Sequence, residues 1–300
     1  MKNNPLALLG FLLLTAPLAA TAQQYGEFTY YVYPDGFGLY IAINGYLGSG
    51  GIVDIPDTIY GMPVARIEDL VFDGYAVTSV TIPASVRYIG YQAFSDCSSL
   101  IAITVSPANQ WYNSADGVLF DKYRTTLIQC PGGKGGSYSV PSSVASIGDY
   151  AFAGCASLTR VEVPSSVTSI GSGAFADCSS LKQVFFKGDA PFVDPTGFDG
   201  ANTNATIYYL PGTSGWATTF AGRPTALWDP LMQSSGVGPA GFGFNIIGTA
   251  DIPIVIEAAT NPANSVWVPL QSLNLTNGAF YFSDPNWTNY PARFYRFRLP

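Results

Sequence analysis

The chain has 300 residues, 48% of them hydrophobic and only 11% charged, with a net charge of −7 and no histidine. The acidic balance repels phosphate backbones and argues against a nucleic-acid partner. Without histidine there is no Ser-His-Asp or Cys-His machinery and no usual zinc site, which leaves carboxylate chemistry, Lys or Tyr chemistry, or binding without chemistry.

The N-terminus reads as a signal peptide over residues 1–22. Lys2 supplies a positive start, Leu6 to Leu14 form an apolar run broken only by Gly10, and Ala20-Thr21-Ala22 is a small-x-small cleavage site that leaves Gln23 as the mature start. The run is shorter than the roughly 20 residues that span a bilayer. No later run reaches that length, so the mature chain is expected to have no membrane span and to be secreted, extracellular or held in the cell envelope. Residues 23–50 carry two aromatic-rich strand candidates, Phe28 to Tyr33 and Gly38 to Asn44, with Asp35-Gly36 at the turn. Such a hairpin would cap the exposed end of a repeat array.

Three segments of that array superimpose almost residue for residue: Val80 to Leu100, Tyr138 to Leu158 and Val161 to Leu181. Pro141 to Pro164 and Cys155 to Cys178 both span 23 residues, and a fixed period in this range marks a solenoid. Ile55-Pro56 with Phe72 opens a weaker upstream copy, while Val184 to Phe186, Phe198 and Ile207 to Pro211 continue the array downstream. From Val105 to Val140 the spacing is 35, and the 12 extra residues lie around Asp116 to Phe120 and Thr126 to Ile128. Two apolar runs separated by Asp121-Lys122-Tyr123-Arg124 predict a hairpin inserted into one coil. Val86/Val144/Val167, Ile89/Ile147/Ile170 and Phe94/Phe152/Phe175 are expected to point inward and stack. Gly90, Gly148 and Gly171 are expected to supply a backbone angle that other residues avoid. Cys97, Cys155 and Cys178 share one repeat position and read as buried thiols rather than metal ligands, whether or not any of them pair. The solenoid is assigned residues 51–229 and a linker residues 230–238.

Residues 239–300 have a different texture, with strand candidates at Gly241 to Ile247, Ile252 to Ala258, Val266 to Leu275, Ala279 to Ser283 and Arg293 to Leu299, and Asn277-Gly278 at a hairpin turn. Five or more short strands without repeat periodicity predict a small β-sandwich. The expected class is therefore mainly β: a solenoid of ~23-residue coils, with an N-terminal hairpin cap and a C-terminal sandwich.

From Gly50 to Pro211 the unit I-P-x-S-V-x-x-I-G-x-x-A-F-x-x-C-x-x-L resembles the BspA-like leucine-rich repeat. That resemblance implies a secreted or surface-exposed protein whose role is adhesion or partner binding, and it brings no shared catalytic residues. The closing Phe294-Tyr295-Arg296-Phe297-Arg298 resembles the end of a module found after repeat domains in secreted bacterial proteins.

Coil-to-coil identity is high at inward positions and low at outward ones, so the outward strand face is the candidate binding surface. Its residues run from Ser79, Thr81, Ala102 and Thr104 through Ser137 and Ser139 to Arg160, Glu162, Gln183 and Phe185. Exposed arginine and aromatic residues are enriched at binding hot spots, which directs attention to the Arg160, Glu162, Gln183 and Phe185 end; the alternative is that the chain around Phe192 to Phe198 covers Phe185 and the face is inert. Trp111 and Tyr112 in the long coil form a second candidate patch, or else pack over the hairpin insert. The expected partner is a protein or glycan, bound by a monomer without a cofactor. A structural envelope or matrix spacer is the alternative. A carbohydrate-active enzyme is less favoured, because no facing carboxylate pair is marked in the sequence.

Overall fold

In the regular coils parallel strand pairs are offset by 23 residues, the period of the sequence repeat: Ser146 pairs with Ser169, Val161 with Val184, and Gln183 with Thr206. The structure, a computed structural model, describes residues 22–36, 38–263 and 266–299. The expected signal peptide lies outside the described residues except for Ala22. Among the described residues the regular elements are strands and short 3-10 turns, and no helix is long and apolar enough to cross a membrane.

One coil shows how the motif folds. The strand Leu158–Val163 alternates inward Val161 and Val163 with outward Arg160 and Glu162. Pro164 then turns the chain, and the short strand Ser169–Ile170 buries Ile170. A run of turns carries Ala174, Phe175 and Cys178 into the core before the next strand, Gln183–Phe186. Phe152 lies parallel to Phe175 at 4.9 Å, Phe175 lies on Phe198 at 4.6 Å, and Phe72 lies on Phe94 at 5.4 Å. Each fully buried ring contributes roughly 2–3 kcal/mol of transfer free energy, which a single coil could not realise alone.

The thiols complete this ladder without pairing, and all four cysteines are free and buried. The Cys97 thiol donates to the Phe72 carbonyl at 2.8 Å and the Cys178 thiol to the Phe152 carbonyl at 3.1 Å, each one coil back. Burial pushes the Cys97 thiol up to about 12, so it stays protonated and unreactive in neutral solution.

The glycine expectation is corrected. Gly90, Gly148 and Gly171 are absent from the positive-φ positions. Their constraint is contact between coils: a Cβ on Gly90 would sit 2.4 Å from the Asp69 amide nitrogen, and one on Gly171 would sit 2.7 Å from that of Asp149. The left-handed angles fall two residues later, at Gln92, Tyr150 and Gly173, and at the residue before the cysteine, Asp96, Gly154 and Asp177.

The predicted hairpin divides the core. Val118–Asp121 pairs antiparallel with Tyr112–Ala115 and with Thr126–Gln129. Leu119 packs into the upstream cluster around Phe72 and Phe94, while Val118 and Phe120 pack into the downstream cluster around Phe152 and Phe175. Period-2 alternation thus lets one strand seal two cores. At the N-terminus, Phe28–Asp35 and Gly38–Tyr46 form the expected hairpin, and the second of these strands pairs in parallel with Met62–Ile67.

The C-terminal module has two antiparallel three-stranded sheets. One is Leu231–Gly238, Gly241–Ile247 and Ala279–Asp284; the other is Val268–Asn274, Pro253–Ala259 and Phe294–Arg298. Residues 230–238, read from composition as a linker, are in large part the first of these strands. Its side chains are mostly exposed on both faces, so it carries no apolar alternation to announce it, and the backbone ladder alone holds it.

Candidate functional site

The outward residues fall in register as their alternation requires. Ser79 stands beside Ala102 and Thr81 beside Thr104. In the downstream sheet, Ser137, Arg160, Gln183 and Thr206 form one row, and Ser139, Glu162, Phe185, Tyr208 and Ala226 form the next.

The two halves of this face have different fates. Thr104 is exposed, Thr81 is half-buried, and Gly51–Asp54 extends the upstream sheet so that Ile52, 75% exposed, adjoins Ser79. Downstream, the expected exposed patch is covered. Phe185 is 1% exposed and Arg160 6%, and Gln183 and Glu162 are half-buried. Phe185 stacks on Tyr208 at 4.6 Å, the Arg160 guanidinium lies 4.3 Å over its ring, and both rings share a core with Phe244, Ile246, Ile254, Ile256 and Phe282 of the module. The Trp228 indole N–H donates to the Pro253 carbonyl at 2.8 Å, joining solenoid and module. The cover is the C-terminal sandwich, whose apolar face gains by burying the Phe185–Tyr208 row against it.

Charges gather at this junction and within the module. Glu162 accepts from Arg160 and Lys187, each at 2.8 Å. Burial alone would raise the Glu162 carboxyl, but the Lys187 ammonium and the Arg160 guanidinium hold it below the usual carboxylate range. Glu257 is buried and paired with Arg296 at 2.7 Å and with Arg298; the same opposition leaves its carboxyl low. Asp284, also buried, is held by Arg293 at 2.6 Å and by the Tyr295 hydroxyl at 3.0 Å. These carboxylates are tied into ion pairs on packed strands, which suits anchoring rather than acid–base work.

A carboxyl whose folded-state pKa is depressed contributes stability above its unfolded pKa and loses it as pH falls through the folded value. Melting midpoints of the intact chain are therefore expected to drop as pH falls from about 5 to 3, around and below the ordinary carboxylate value. Glu257→Gln should flatten that slope. Equal slopes in variant and parent would show that the pair does not carry it.

The long coil places Trp111, 47% exposed, at the edge of the inserted hairpin. Tyr112 is half-buried, and its hydroxyl accepts the Ile89 amide at 3.0 Å, tying the hairpin to the coil below. Beside Tyr112 opens a hollow of about 330 Å³ lined by Ser106, Asn113, Lys122 and Arg124 among others. Sequence reasoning read Lys122 and Arg124 only as turn residues; two cations flanking one position of a turn were the available signal. It also gave the cap only a covering role. The cap carries Tyr33 stacked with Tyr40, and the first coils meet it there, with Arg87 over the Tyr40 ring and Arg66 3.8 Å over Tyr88.

A family model described as "BspA type Leucine rich repeat region" matches residues 55–128 and 135–210, in 6 copies. Among solved structures, the chain is similar to the T. pallidum leucine rich repeat protein TpLRR, at 27% identity, covering 64% of this chain and 87% of that one with a TM-score of 0.36. It is also similar to a leucine rich cell surface protein from Faecalibacterium prausnitzii A2-165, at 19% identity, covering 66% and 91% with a TM-score of 0.35. A third similarity is to the pneumococcal vaccine antigen PcpA, at 17% identity, covering 63% and 82% with a TM-score of 0.34. No match was found among curated proteins.

Proposed function

Because the chain belongs to the BspA type leucine-rich repeat family, we propose that it is a secreted or cell-surface binding protein that engages a protein or glycan through the open part of its strand face, without catalysis. The observation that carries this reading is the upstream row, Ile52–Ser79–Ala102 beside Asp54–Thr81–Thr104, which is in register and belongs to the half of the face that the C-terminal sandwich leaves uncovered. Strips of small polar side chains with an exposed aliphatic edge suit extended partners, and repeat proteins commonly use such surfaces. The family supports binding over chemistry. The buried carboxylates Glu257 and Asp284 are matched by arginines rather than facing each other across a cleft.

The test is an array of extracellular-matrix proteins and polysaccharides probed with the labelled chain, run beside a Thr81→Arg, Thr104→Arg double variant. The parent is expected to give a discrete set of signals. The variant, with its melting midpoint kept, is expected to lose them. An array silent for the parent, or signals identical in the variant, would remove the strand face as the site.

A further inference from the structure

The hollow beside the inserted hairpin is a cationic site in an acidic chain. Lys122 and Arg124 both line it, together with Tyr112, Asn113 and Ser106. Arg66, Arg87, Arg160, Arg293, Arg296 and Arg298 each pair with a carboxylate; Lys122 and Arg124 have no carboxylate partner among the described residues. Their contacts are neutral acceptors. The Lys122 ammonium donates to the Asn109 carbonyl, and the Arg124 guanidinium donates to Asn113 Oδ1 at 3.0 and 3.1 Å and to the Ser114 carbonyl at 3.4 Å. Asp121, the carboxylate adjacent in sequence, is occupied by the Thr125 amide and hydroxyl and the Thr126 amide at 2.6–2.8 Å. Two like charges thus share one concavity with donor capacity unspent. Arg124 also holds a left-handed backbone angle, φ 56°, at a hairpin position where glycine is the unstrained residue.

From this we infer that the hollow binds the carboxylate of an acidic sugar, a uronic acid unit within a polysaccharide. A guanidinium fork matches a planar carboxylate, and the ammonium adds a second point charge. Asn113 and Ser106 supply groups for sugar hydroxyls, and the Tyr112 ring supplies a wall for the C–H face of the sugar. The volume is at the low end for ligand sites, which suits one sugar ring at a time. This inference rests on the binding-protein reading but uses a different surface from the strand face.

The experiment is calorimetric titration of the full chain with trigalacturonate, with its fully methyl-esterified form and with a sulfated trisaccharide. Trigalacturonate is expected to bind, and the ester to bind roughly tenfold more weakly or worse, as expected for losing a charge-assisted hydrogen bond. Lys122→Gln should weaken binding by a similar factor. Arg124→Gly should do the same while its melting midpoint stays near that of the parent, because relief of the backbone angle offsets the hydrogen bonds lost to Asn113 and Ser114. Absent binding, equal binding of acid and ester, preference for the sulfated sugar, or unchanged affinity in both variants would each overturn the assignment. If the array finds a partner that ignores Lys122 and Arg124, the binding-protein reading stands and this site falls.

Discussion

Phe152→Ala is expected to lower the stability of the chain by about 3–5 kcal/mol, the range for a buried phenylalanine truncated in a core that cannot collapse. The ring is fully buried, parallel to Phe175 at 4.9 Å and tilted against Tyr138 at 5.9 Å. Collapse is hindered because the coils on both sides are held by backbone hydrogen bonds: on the upstream side the Cys130 amide donates to the Ala151 carbonyl at 2.6 Å, and on the downstream side the Phe152 amide donates to the Ala174 carbonyl at 2.7 Å. The void would therefore persist between Tyr138 and Phe175. Thr104→Ala, on the exposed strand face, is the control and should cost under about 0.5 kcal/mol. Chemical denaturation of both variants checks the pair. Equal losses would mean that the ring stack is not the structural core.

Phe185→Ala is expected to cost about 3 kcal/mol and, unlike Phe152→Ala, to act mainly on the join between solenoid and sandwich. The side chain is wedged between Tyr208, the Arg160 guanidinium and the apolar face of the module. Its removal leaves Arg160 above a void, with burial already holding the guanidinium below its usual range. Hydrogen exchange gives the decisive readout. Protection should fall across Pro253–Ala259 and Gly241–Ile247 while the amides of Ser146–Ile147 and Ser169–Ile170 keep theirs. Uniform loss across the chain, or none, would show that the module is not anchored through this ring.

The contrast between these two phenylalanines marks how far the sequence could be read. Phe152 was legible because it recurs: a residue repeated every 23 positions beside a buried thiol has to satisfy the same packing in every coil. The hairpin was legible from two apolar runs flanking a polar turn, and five of the six sandwich strands from their texture. Phe185 was legible only in part. Alternation placed it on the outward side of its strand, and the structure agrees. Whether an outward residue stays exposed is not set by alternation, and here the cover comes from the C-terminal module rather than from the chain around Phe192 to Phe198.

Repeat period, the inward ladder and the strand register were determined by the sequence alone, since they depend on contacts between residues at fixed separation. Tertiary structure decided what lies on top of the outward face, which glycines are required by approach rather than by angle, and that Lys122 and Arg124 line one hollow. Those outcomes depend on surfaces distant in sequence, such as Phe185 and Phe244, or on backbone spacing between neighbouring coils, such as Gly171 against Asp149. Periodicity specifies the direction in which a side chain points; burial depends on what else in the chain gains by packing against it.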